Sequence, residues 1–130
     1  VQVLDLVTAP AVAARFGLTE RDEETLRAWV RESGVRWGLD ADDRAATHAL
    51  PGDEEHTWRF GLERLLLGWA APGDGARLVH TVLPYDEIEG GDAERLGRFA
   101  EACARLFALV RRARAAHSMA GWAALGADVV

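Results

Sequence analysis

The chain has 130 residues, a formal net charge of −6, 49% hydrophobic residues and 28% charged residues. This length and balance are typical of one globular domain and exclude a disordered segment, because enough apolar side chains are present to form a core. An acidic balance also disfavours a protein that binds nucleic acid over its whole surface, and no apolar run approaches the roughly 20 residues of a membrane span.

The first part of the sequence predicts three helices separated by helix-ending residues. Residues 2–7 predict a short helix or the tail of a longer one. Thr8 is the predicted N-cap of a second short helix that runs to Phe16, with Gly17 as its C-terminal cap. The segment Thr19–Asp22 resembles a capping box at the start of a third helix. An i, i+3, i+4 apolar stripe then runs to Gly34, which is predicted to close this helix.

The middle of the sequence predicts two further helices and one uncertain segment. Asp40 is placed to cap a short helix over residues 41–47. Thr57 is placed to cap the helix WRFGLERLLLGWA, which Pro72 and the following glycine end. The pattern of residues 76–90 does not support a helix; within this range, residues 78–82 predict a short strand-like segment and the rest a loop.

The last part of the sequence contains the longest predicted helix. Asp92 is its predicted N-cap, and residues 93–115 place Cys103 on a stripe of apolar residues that step by three and four. Cys103 is therefore expected to be a buried, inert thiol. Ser118 is the predicted cap of a final helix. Together these elements predict an all-α fold, an irregular bundle of about five to six helices in a single helical domain over residues 1–130.

The residue types that support common enzymatic sites are missing or scattered. All 15 basic residues are arginine, so the lysine of a phosphate-binding P-loop is absent. The four histidines form no HExxH pattern and no Cys-x-x-Cys pair occurs, which disfavours a zinc site. No Ser-His-Asp arrangement is suggested by the spacing. We therefore expect no catalytic residue, no metal ligand and no cofactor site in this segment.

Two short stretches combine arginine with aromatic residues: Arg36-Trp37 and Trp58-Arg59-Phe60, the latter followed by Arg64. Aromatic rings can stack on bases and arginines can pair with phosphates, so the candidate nucleic-acid-binding residues are Arg36, Trp37, Arg59 and Arg64. A structural interpretation also stands. One broad helical face carries Trp58, the following leucines and Trp69, a pattern that predicts core packing. The arginines can then lie over apolar surface or pair with acids.

Three segments, in this order and at this spacing, resemble the RecC family, the gamma subunits of exodeoxyribonuclease V. They are LRAWVRESGVRWGLD, HTWRFGLERLLLGWA and VLPYDEIEG, and the upstream VLDLVTAPAVAARFGLTE is similar to the same family. The resemblance extends from residue 3 to the long helix. One departure is LLLGWAA, where the family usually has LLLGYAM, and this change keeps an aromatic ring with a polar group.

The resemblance implies that the chain is an internal piece of a longer protein, which agrees with a start that lacks methionine. Such proteins pair with RecB-like and RecD-like subunits in a helicase–nuclease that unwinds and degrades double-stranded DNA ends, guides single-stranded DNA through channels and recognises Chi in recombinational repair. ATP and Mg²⁺ are used by the other subunits. The segment itself is expected to be non-catalytic, part of a helical subdomain of a superfamily 1 helicase-like protein.

Two functional interpretations remain open from the sequence, with a small free-standing helical enzyme as a third that lacks any visible pocket residues. In the first, the segment is a DNA-processing scaffold in which Arg36, Arg59 and Arg64 line a DNA path or brace a partner surface. In the second, it is a helical protein-interaction module that docks onto RecB-like or RecD-like partners without touching DNA. A single cysteine favours a reducing compartment, so the expected location is cytoplasmic.

Overall fold

The computed structural model describes residues 2–48, 51–71, 78, 82–86, 88–115 and 117–129. Within these ranges the chain forms seven α-helices and a 3₁₀ turn, which confirms the all-α prediction. The helices are α1 (Gln2–Val7), α2 (Pro10–Arg15), α3 (Glu20–Glu32), α4 (Ala41–His48), α5 (Trp58–Ala70), α6 (Ala93–Arg114) and α7 (Met119–Val129), and the 3₁₀ turn is Gly90–Asp92. In the described part of the chain, no helix combines the length and apolar character that a membrane crossing requires.

Most of the predicted helix starts are confirmed by hydrogen bonds. The Asp22 carboxylate accepts the Thr19 backbone N–H at 2.8 Å, at the start of α3. Asp40 accepts the Asp43 N–H at 2.9 Å at the start of α4, and the Thr57 hydroxyl accepts the Phe60 N–H at 3.2 Å at the start of α5. Ser118 likewise accepts the Gly121 N–H at 3.1 Å before α7. Short polar side chains were therefore reliable signals of helix starts.

Two predicted caps were wrong in their bonding. Ala9, not Thr8, is the N-cap of α2. Thr8 instead ends α1, because its hydroxyl donates to the Leu4 carbonyl at 2.9 Å. Asp92 does precede α6, but its carboxylate bonds to the Arg95 guanidinium rather than to a backbone N–H. The strand-like segment predicted over 78–82 lies largely outside the described residues, as does the helix-ending Pro72.

The core is organised around α6, the longest helix. Its buried face contains Leu96, Phe99, Cys103 and Phe107, and α1 and α5 pack against α6. Cys103 is fully buried, and burial raises the pKa of its thiol to about 12, so the thiol stays protonated and unreactive at neutral pH, as predicted. α6 therefore supplies the fixed surface against which the helix of the TWRFGL segment is placed.

One face of α5 carries two glycines and lies so close to its neighbours that a larger residue would not fit there. A Cβ atom on Gly61 would lie 2.2 Å from Cγ2 of Val35, and one on Gly68 would lie 1.7 Å from the Tyr85 carbonyl oxygen. The two glycines are two turns apart and share one face of the helix. This face therefore brings α5 into direct contact with the loop after α3 and with the segment 82–86.

Candidate nucleic-acid interface

The candidate residues around Trp37 and Arg59 are brought together by backbone hydrogen bonds between residues 34–39 and residues 56–59, which we call the junction. Four bonds form the junction. The backbone N–H groups of Arg36 and Trp37 donate to the His56 carbonyl at 2.8 and 3.3 Å. The Trp58 N–H donates to the Gly38 carbonyl at 3.1 Å, and the Arg59 N–H donates to the Leu39 carbonyl at 2.9 Å. The loop after α3 is thereby fixed along the start of α5. Sequence spacing alone did not show that these two stretches are adjacent.

Three residues of the junction adopt left-handed backbone conformations. Gly34 and Gly38 have φ values of +86° and +71°, and His56 has a φ of +66°. Such a conformation costs an ordinary residue roughly 1–2 kcal/mol, so His56 needs compensation. Its ring Nδ1 lies 2.9 Å from the Gly34 carbonyl oxygen and donates to that oxygen in the Nδ1–H tautomer. The bond joins the two left-handed turns and restrains the junction further.

Arg36 and Trp37 extend from the junction into solvent. The Arg36 side chain is exposed, and among the described residues it donates a single local bond, from Nη1 to the Val35 carbonyl at 3.2 Å. Trp37 retains 46% of its surface exposed, and the Arg44 guanidinium carbon lies 5.6 Å from the centroid of its ring. Arg44 is a residue that the sequence did not single out, since nothing in its local pattern indicates a contact with Trp37.

Arg44 is itself held in place by the loop that precedes α5. Its Nη1 atom donates to the carbonyl oxygens of Asp53 and Glu55, at 3.3 and 3.1 Å. Its Cβ also lies close to the left-handed Gly38, at 3.3 Å from the position that a Cβ of that glycine would occupy. Within the part of the chain that the structure describes, the cation behind Trp37 is therefore held by backbone carbonyls and not by a carboxylate.

Arg59 is the most available of the three candidate arginines. It lies on the first turn of α5, on the face opposite to Gly61 and Gly68, and its side chain is exposed. Among the described residues, its guanidinium has no hydrogen-bond or ion-pair partner, although a structural ion pair was the alternative interpretation. The side chain is thus free to contact a ligand.

Arg64 has a different environment, because it lies on the face of α5 between Gly61 and Gly68. Its Nε donates to the Leu83 carbonyl at 2.8 Å and its Nη1 to the Ser33 carbonyl at 2.9 Å. The side chain thereby links the end of α3, α5 and the segment 82–86. This geometry gives Arg64 a structural role in holding α5 against its neighbours. A nucleic-acid contact by Arg64 stays a prediction.

The structural interpretation of the aromatic residues on α5 is confirmed for one tryptophan and wrong for the other. Trp58 is 5% exposed and meets Phe107 of α6 edge to face, with ring centroids 6.0 Å apart. Trp69, on the last turn of α5, is 47% exposed, and Leu66 is 41% exposed. The broad apolar face of this helix is therefore only partly a core face.

Two of the arginines in the last turn of α6 form ion pairs with acids at the start of α4. Arg111 pairs with Asp40 and Arg114 with Asp43, which joins the C-terminal end of α6 to the start of α4. The pKa of the Asp40 carboxyl is lowered by the Asp43 N–H and by Arg111. Burial opposes the shift at Asp43, but the Leu39 N–H and Arg114 outweigh it and lower the pKa of that carboxyl as well.

Comparison with known proteins gives the family. A model of the RecBCD enzyme subunit RecC fourth domain matches residues 1–130. The chain is 49% identical over 98 residues to the RecBCD enzyme subunit RecC of Escherichia coli strain K12, which covers 75% of the chain and 9% of that protein. It is 38% identical over 121 residues to the same subunit of Mycobacterium tuberculosis strain H37Rv, covering 93% of the chain and 11% of that protein.

A third relative, the RecC subunit of Mycolicibacterium smegmatis, is 39% identical over 103 residues, covering 77% of the chain and 9% of that protein. The chain thus spans about a tenth of the length of the relatives it matches. The family match includes the junction, the TWRFGL helix and α6, the elements that position the candidate residues. The resemblance read from the sequence is confirmed, and the chain belongs to the RecC family, within its fourth domain.

Proposed function

We propose that the chain is a non-catalytic segment of a RecC-like subunit of an exodeoxyribonuclease V complex. The complex, formed with RecB-like and RecD-like partners, unwinds and degrades double-stranded DNA ends and recognises Chi during recombinational repair. ATP and Mg²⁺ are used by its other subunits. Family membership over the whole chain supports the parent assembly, and the names of the relatives, which describe a subunit of the RecBCD enzyme, support the partners.

Within that assembly, the proposed role of this segment is to line a path for DNA. The observation that supports this role is the junction, where the exposed Arg36, Trp37 and Arg59 are held together by backbone bonds. Two exposed guanidiniums beside an exposed ring provide one site for phosphate and one for a base. Arg64 is part of the same proposed interface, where its role is to position α5.

The second candidate function is a protein-interaction module that contacts the partners without touching DNA. It is favoured by large apolar side chains that remain exposed on two helices: Leu66 and Trp69 of α5, and Met119 and Trp122 of α7. Exposed aromatic and methionine side chains are enriched in the cores of protein interfaces. These residues lie outside the junction, so the two functions are separable by substitution.

The first test is a tryptophan-fluorescence titration of the chain with a forked DNA duplex, at about 50 and about 200 mM salt. Arg59→Ala is compared with Arg105→Ala, an exposed arginine of α6 that pairs with Glu101. The proposal expects binding that weakens with salt, a loss of affinity in Arg59→Ala and little change in Arg105→Ala. Circular dichroism of both variants checks that the helical fold is retained.

A flat titration at low salt, or equal losses in the two variants, contradicts a DNA path at the junction. The interaction module then becomes the better explanation. Its own test is assembly of the full-length subunit with its partners, comparing Trp69→Ser and Trp122→Ser with the unchanged subunit. Loss of co-purification in these variants, with normal assembly of Arg59→Ala, supports that function.

A further inference from the structure

We propose that Trp37 is a stacking platform for one unpaired base of single-stranded DNA, with Arg44 behind its ring and with Arg36 and Arg59 placed for the flanking phosphates. The inference rests on the proposed function, since it assumes that DNA reaches the junction. It goes beyond that function in naming the side chain that contacts an unpaired base and the cation that supports its ring.

The setting of Trp37 differs from that of the other exposed tryptophans. Trp37, Trp69 and Trp122 have similar exposed fractions, at 46%, 47% and 49%. Trp69 and Trp122 lie within helices, beside glycine, alanine and leucine residues that carry no charge. Trp37 lies in a loop between Arg36 and Gly38, and among the described tryptophans it is the one with a guanidinium over its ring.

Contacts around Trp37 restrain its backbone and one side of its ring, which reduces the entropy lost when a planar ligand stacks on it. Its backbone N–H and that of Arg36 bond to the His56 carbonyl, and Gly38 accepts the Trp58 N–H. On the side chain, Arg44 contacts the ring while its Nη1 is bonded to two carbonyl oxygens. The exposed part of the indole therefore lies opposite a cation that is itself bonded to the backbone.

The charges around the junction favour an unpaired base over a duplex. The loop that holds Arg44 contains the exposed acids Asp53, Glu54 and Glu55, and the whole chain has a net charge of −6. A duplex presents its phosphates and hides the faces of its bases, so its binding would depend on a strongly basic surface. Stacking of an unpaired base on an aromatic ring depends much less on charge and needs only a few cations nearby.

The test uses the full-length subunit assembled with its partners, bound to a forked DNA that carries 5-iododeoxyuridine at one position. The iodinated base is placed in turn in each single-stranded arm and in the duplex, the complex is irradiated, and the crosslinked residue is identified by mass spectrometry of the peptides. The expected result is a crosslink to Trp37 from a base in a single-stranded arm, with none from the duplex positions.

Equilibrium binding of the same subunit to a short oligothymidylate provides a second readout. Loss of one stacked base is expected to weaken binding roughly tenfold in Trp37→Leu. Trp69→Leu removes an equally exposed tryptophan from α5 and should change the affinity less than about twofold. Trp37→Phe retains a ring and should recover most of the affinity. Arg44→Met leaves the ring but removes its support, so it should lower both the crosslink yield and the affinity.

The outcomes separate this inference from the proposed function. Crosslinks to residues near Arg36 or Arg59 without any at Trp37, together with unchanged affinity in Trp37→Leu, overturn base stacking and leave the DNA path intact. Crosslinks from duplex positions alone also overturn it. If no crosslink falls within the segment and Arg59→Ala binds normally, both proposals are wrong. Loss of partner assembly in Trp37→Leu overturns the inference by assigning Trp37 to a protein contact.

Discussion

Arg59 and Arg64 are on the same helix and have the same side chain, yet they have opposite roles in the structure. Arg64 donates to two backbone carbonyls that belong to different segments of the chain. Arg59 is exposed and, in the described part of the chain, bonds to nothing through its side chain. The difference follows from helical position, because Arg64 shares a face with Gly61 and Gly68 whereas Arg59 lies on the opposite face.

This contrast predicts unequal losses of stability in the two variants Arg64→Met and Arg59→Met. Arg64→Met removes two charge-assisted hydrogen bonds and leaves the Leu83 and Ser33 carbonyls without this donor, so we expect a loss of about 2 kcal/mol. Arg59→Met should change the free energy of unfolding by less than about 0.5 kcal/mol. Urea unfolding of both variants measures the difference. Similar values for the two would show that the Arg64 bonds do not stabilise the fold.

Gly68 gives a second prediction at the same scale. Gly68→Ala places a Cβ 1.7 Å from the Tyr85 carbonyl oxygen, and a backbone atom cannot move aside as the end of a side chain can. We expect a loss of about 3 kcal/mol in the free energy of unfolding. Gly97→Ala is the matched control, since it lies in α6 with nothing within 4 Å of the added Cβ.

Gly97→Ala should stabilise the chain by roughly 0.5–1 kcal/mol, because alanine favours a helix interior more than glycine does. Thermal unfolding monitored by circular dichroism compares the two variants. A melting temperature for Gly68→Ala equal to that of the unchanged chain would contradict the close packing of α5 on the segment 82–86.

At the scale of whole elements, α4 is attached to the bundle largely through charge. Asp40 at the start of α4 pairs with Arg111, and Asp43 on its first turn pairs with Arg114. Each carboxylate also accepts a backbone N–H in the cap, from Asp43 and Leu39 respectively. The same two acids therefore start one helix and hold it to the end of another, next to the loop that contains Trp37.

These contacts predict a pH dependence of stability. The pKa values of Asp40 and Asp43 are lowered on folding, so their contribution is fully present above the ordinary carboxyl pKa of 3.8. This contribution is lost as the pH falls through the pKa values of the two carboxyls in the folded chain, which lie below 3.8. We expect Asp40→Asn/Asp43→Asn to be less stable than the unchanged chain by about 1 kcal/mol near neutral pH, since both arginines are half exposed.

Urea unfolding at about pH 7 and about pH 3 measures this effect. The difference between the double variant and the unchanged chain should shrink at the lower pH, because below 3.8 the unfolded chain protonates its aspartates before the folded chain does. Asp42→Asn, at an exposed position between the two acids, is the control and should show no such convergence. A difference that stays constant with pH would indicate that shape, and not charge, explains the loss.

For the molecule as a whole, the net charge of −6 limits how DNA can bind. Only a few arginines at the junction are available, so the number of phosphate contacts is small. With two contacts, from Arg36 and Arg59, the slope of log affinity against log salt for a single strand is about −1.4. Affinity for an oligothymidylate should therefore fall roughly sevenfold between about 50 and about 200 mM salt.

The measurement is a fluorescence-anisotropy titration at several salt concentrations. In Arg59→Ala the slope should become shallower by about 0.7, since one phosphate contact is lost. In Arg105→Ala it should stay unchanged. A slope several times steeper would mean that many more cations contact DNA than the junction provides, and a slope near zero would exclude phosphate contacts there.

The sequence by itself determined the all-α class, nearly every helix start and the burial of Cys103. These features depend on interactions within a few residues, such as the Asp40 and Thr57 caps, or on a long regular stripe such as that of α6. Local sequence patterns predict these helix starts and the buried stripe, because the groups that interact are close together in the sequence. The family resemblance was also visible from the sequence, because its motifs are contiguous.

The tertiary structure decided which arginines are available and which are structural. Arg64 is bonded across the interface between α3, α5 and the segment 82–86, Arg111 and Arg114 are paired with α4, and Arg44 is placed on Trp37. Each of these partners lies outside the local helical turn or is a backbone carbonyl. Every residue has a backbone carbonyl, so the sequence does not indicate which one an arginine will contact. An arginine side chain looks the same in either role until packing fixes its neighbours, and for that reason only the folded chain separates Arg59 from Arg64.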